Sequence, residues 1–138
     1  MNSIDISLVM PSNLGSRVVS REVVRKAVSE NPSLQLRSVG SEDVRSGAFK
    51  DFGATLLLLT GTAVGVAAVE GIFNVLKTVI QEAFETWRQR YAANAEFRKL
   101  VLLLGHRRTE LDLSEPLETL VRRLEALRLD ACKQTEGL

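Results

Sequence analysis

Few side chains in this sequence could do covalent or acid–base chemistry, and their surroundings argue against it. His106 is the sole histidine and Cys132 the sole cysteine. A Ser-His-Asp or Cys-His arrangement would have to run through His106. That residue stands in Gly105-His106, with Arg107 and Arg108 beside it, which is the setting of a solvated turn. Cys132 lies near a polar C-terminus with no motif around it, and a lone cysteine forms no intrachain disulfide. Neither Cys-x-x-Cys nor a paired histidine offers a metal site. The glycines at 61, 65 and 71 are not followed by Lys-Ser/Thr, and no GxGxxG occurs, so no phosphate cradle is spelled out. No catalytic, cofactor-binding or metal-ligating residue is assigned, and the expectation is a chain that is not an enzyme and carries no cofactor.

Charge points no further. The 138 residues hold 18 basic and 17 acidic side chains, a formal net charge of +1. Basic pairs occur at Arg88 and Arg90, Arg98-Lys99, Arg107-Arg108 and Arg122-Arg123, each mixed with acids. A nucleic-acid surface needs a coherent basic stripe and stacking aromatics. Trp87 and Tyr91 are too few to supply them, so nucleic acid is not an expected partner.

The chemistry that remains is apolar contact. Phe52 to Val69 runs without a charged side chain, between Asp51 and Glu70. A bilayer-spanning helix needs about 20 predominantly apolar residues. The run is short of that, and Gly53, Gly61 and Gly65 interrupt it. Gly61 and Gly65 stand in GxxxG spacing, which permits close helix packing, mainly in membranes. Two placements stay open: residues 52–69 buried in protein, or inserted in lipid.

The elements around this run follow from periodicity. Ile4, Ile6 and Leu8 alternate with Asp5 and Ser7, the period of a half-buried strand. Pro11, Asn13 and Gly15 predict a loop. Ser20 is a suitable N-cap for a helix carrying Val23, Val24, Ala27 and Val28, which Asn31-Pro32 ends. Leu34 and Leu36 start a second strand. Gly40 to Gly47 is a polar connector. Ala48 to Thr60 fits a helix, and Ala54 to Leu59 fits a buried strand equally well. A bend is expected between Thr60 and Gly65. Val69, Ile72, Phe73, Leu76, Val79, Ile80, Ala83, Phe84 and Trp87 then form the stripe of an amphipathic helix. Leu100–Leu104 and Thr109–Leu113 flank Gly105-His106 as a hairpin. Ser114 is placed to cap a last helix with Leu117, Leu120, Val121, Leu124 and Leu127 inward.

This predicts an α+β domain over residues 1–132, with a small four-stranded sheet and three helical regions, followed by a polar tail over 133–138. Such a sheet has too little area to cover all three helical regions. The surplus points to a partner or oligomer interface at Gly61, Gly65, Ile72, Phe73, Leu76, Ile80, Phe84 and Trp87. The N-terminus lacks a basic region and an unbroken apolar core, so it does not read as a signal peptide. The expected location is cytoplasmic, with the inner membrane as the alternative if residues 52–69 enter lipid.

The order of elements carries a resemblance. A strand–helix–strand opening leads through a polar loop into GAFKDFGATLLLLTGTAVGVAAVEG. An amphipathic helix ending in Trp-Arg follows, then a hairpin whose second strand reads TELDL, then a Leu-rich helix. Over about residues 3 to 129 this resembles the effector-associated constant component family of bacterial conflict systems. The hairpin turn here is shorter than in that pattern, and the glycines of the apolar segment are more loosely arranged. The resemblance implies a non-enzymatic adaptor or signal-transmitting component that couples a sensor to a toxic effector such as a peptidase. It implies a protein partner and brings no catalytic residues; self-association is expected from the surplus apolar face instead.

Overall fold

The computed structural model describes residues 3–32, 34–40, 55–91 and 98–135. The elements run β1 (Ser3–Pro11), α1 (Ser12–Val19), α2 (Glu22–Ser29), β2 (Leu34–Gly40), β3 (Thr55–Val64), α3 (Val66–Thr86), β4 (Lys99–Leu104), β5 (Arg107–Asp112) and α4 (Leu117–Thr135). The α+β class expected from the sequence is present. The five strands form one sheet in the order β2-β3-β1-β4-β5, every neighbouring pair antiparallel.

The fifth strand is the main departure from expectation. Thr55 to Val64 pairs along its length with β1 and also with β2. Of the two readings its leucine run allowed, the strand is the one formed. A central strand hydrogen-bonded on both edges satisfies its backbone without helix. The bend expected near Gly65 is the strand-to-helix corner. Gly65 has φ 90° and ψ 165°, a region open essentially to glycine alone, and its carbonyl accepts a hydrogen bond from the Val69 amide at 3.2 Å. The polar connector expected over 40–47 lies outside the described residues beyond Gly40, as does the front of the uncharged run, residues 52–54.

Local chemistry shifted further boundaries at both ends of the chain. The loop expected at Pro11, Asn13 and Gly15 is helix α1, with Pro11 just ahead of its first turn. Proline's fixed φ suits that entry. Leu14 and Val18, four apart, bury fully. Ser20 ends α1 rather than capping α2, whose N-cap is Arg21. At the other end, Ser114 does not cap α4. Its amide and hydroxyl both donate to the Asp112 carboxylate, at 2.9 and 2.7 Å, and the Pro116 carbonyl accepts the first helical bond from Leu120. The expected tail is shorter than 133–138, because α4 continues through Lys133 and Gln134 to a buried Thr135.

The helices lie on one side of the sheet. Ile4, Ile6, Leu8 and Met10 of β1 and Leu100, Leu102 and Leu104 of β4 share one core with Leu14, Val18, Val24, the α3 stripe and Leu120, Leu124 and Leu127 of α4. Each of the largest side chains buried here contributes about 1.5–3 kcal/mol. Summed over α3, that gross term is comparable with the whole net stability of a small domain, about 5–15 kcal/mol.

Candidate interaction surface

The residues expected at an interface are mostly interior. Ile72, Phe73, Leu76 and Ile80 are between 0% and 3% exposed, and Trp87 is 7% exposed. They face the sheet and the other helices, so the α3 stripe is core and not a free docking face. The physical reason is area. The segment expected to add helical surface supplies a fifth strand instead, which widens the sheet and shortens the helical region. The GxxxG pairing is overturned as well. Gly61 sits within β3, opposite Ile6 on one side and Leu34 on the other, while Gly65 is the corner before α3, so the two never share a helix.

Phe84 is the exception on the stripe. It is half-buried at the core's margin, and the Arg88 guanidinium lies over its ring, 4.7 Å from the centroid. Arg88 belongs to a π-helical turn, Trp87–Tyr91, that closes α3. Just before it, the buried Thr86 hydroxyl accepts a hydrogen bond from Arg21 Nη2 at 3.3 Å. Arg21 Nε also stands 3.4 Å from Glu82. The α1–α2 junction is thereby tied to the end of α3, a role for Arg21 that sequence periodicity does not disclose.

No helix among the described residues is long and apolar enough to cross a membrane. The described part of the uncharged run is strand β3, the Gly65 corner and the first turn of α3.

The second side of the sheet holds what sequence reasoning missed. Side chains alternate across a strand, so Val9 and Val101 lie on the side away from the helices. They stand opposite each other in the β1–β4 ladder. Val9 is 3% and Val101 0% exposed, yet neither belongs to the core shared with the helices. Pro11 is buried on the same strand, and Leu58 takes the register position next to Val9 on β3. Toward the other end of this side the sheet opens. Leu103 is half-buried and Val64 is 48% exposed. Thr62 donates to Asp5 at 2.8 Å, and Arg108 pairs with Glu110 at 2.9 Å on β5. The signal was present: Leu8-Val9-Met10 and Leu100–Leu104 are apolar without alternation, as strands covered on both faces are.

His106 is exposed in the two-residue hairpin turn, as expected. Gly105 beside it has φ 58°, and its amide donates to the Asp5 carbonyl at 2.8 Å. Cys132 is buried in α4. Among the described residues no group of His, Cys, Asp or Glu is arranged to hold a metal ion. Among the described residues, Asp112 is the carboxylate whose surroundings displace its pKa. Partial burial works against its charge, but the bonds from the Ser114 hydroxyl and amide, helped by Arg98 and Lys99, hold its pKa below the ordinary value. Comparison with protein-family models, with curated proteins and with solved structures found no match to this chain.

Proposed function

We propose that this chain is a non-enzymatic adaptor, a signal-transmitting component of a bacterial defence system that binds a protein partner and self-associates. The contact surface is the side of the sheet away from the helices, around Leu103 and Val64, and its occupant is a peptidase-type effector or sensor offering a matching apolar strip. The observation that supports this reading is the two-sided apolar character of the sheet. One side meets the helices. The other is apolar and buried at Val9 and Val101; half-buried Leu103 follows along β4 beside the exposed pair Arg108 and Glu110, while exposed Val64 stands apart on β3, beyond Thr62 and Asp5. Leu103, with charged Arg108 and Glu110 beside it, gives an apolar contact with a polar margin, as protein interfaces have. The resemblance in element order supports the defence-system assignment.

Co-expression with the products of adjacent genes tests it. A stable complex with a neighbouring peptidase or NTPase, lost in Leu103→Lys and kept in Glu118→Lys on the exposed face of α4, is the expected result. A neighbour complex indifferent to Leu103→Lys would remove this surface from the account. A defined catalytic turnover by the chain alone would remove the adaptor reading.

A further inference from the structure

We draw no further inference here: the strongest candidate, the cleft of about 280 Å³ between the end of α2 and α3 that Asn31, Gly71, Asn74 and Thr78 line, is open to solvent, and nothing in the structure shows what would occupy it.

Discussion

Val9 and Val101 stand opposite each other across β1 and β4, both buried, on the side of the sheet that the helices do not touch. One residue along each strand, Leu8 and Leu102 form the corresponding pair on the helix side. The centre of the sheet is therefore apolar on both faces. Val9 and Val101 are themselves covered, so the candidate contact on this side is confined to half-buried Leu103 and exposed Val64.

A charge on the α3 stripe should unfold the chain rather than merely dissociate an assembly. Leu76 and Ile80 are each 1% exposed, and an unpaired buried charge costs far more than a small domain's net stability can absorb. Leu76→Asp should lose the cooperative thermal transition seen by circular dichroism. The milder Leu76→Ala should remain folded with about 2–5 kcal/mol less stability. A folded, stable Leu76→Asp protein would mean that the stripe is not core.

Two glycines should respond to alanine with opposite signs. Gly65 has free space around a would-be Cβ, but its φ of 90° is strained for any L side chain, so Gly65→Ala should cost about 1–3 kcal/mol. Gly71 lies inside α3, where alanine gains about 1 kcal/mol of helix propensity. The nearest obstacle is the Asn31 side-chain amide at 3.2 Å, the end of a side chain that can shift. Gly71→Ala should therefore be neutral or mildly stabilising in chemical denaturation. Equal losses at both positions would contradict the corner geometry at Gly65.

Asp112 should make stability depend on acid. Its folded pKa lies below the ordinary aspartate value of 3.8. A carboxylate depressed on folding stabilises the protein above its unfolded pKa, and that contribution disappears as pH falls through the folded value. The stability difference between wild type and Asp112→Asn should be constant near neutrality. It should shrink as the pH drops below about 4. A difference that stays flat down to pH 2 would show that the Ser114 contacts do not favour the charged form.

Much of this fold could be read from periodicity. The alternation at Ile4, Ile6 and Leu8, the α3 stripe and the hairpin around Gly105-His106 all follow from the order of apolar residues. Residues 55–59 could not be assigned that way, because four consecutive leucines lack a period. Only pairing with β1 and β2 selects the strand. That one ambiguity carried over to the interface, since the surplus apolar area inferred for α3 depended on counting four strands. Helix α1 escaped notice because its fully buried anchors, Leu14 and Val18, stand among Asn, Gly, Ser and Arg. Arg21 was invisible because its partners, Glu82 and Thr86, are distant in sequence.

The most direct test of the central claim is the mass in solution, by light scattering, of wild type, Leu103→Lys and Val64→Lys, each alone and with the product of the adjacent gene. The account predicts that wild type self-associates and binds that product. Leu103→Lys and Val64→Lys should stay folded while losing both associations. Wild-type masses that match a lone monomer under every condition, or associations left intact in both variants, would contradict it.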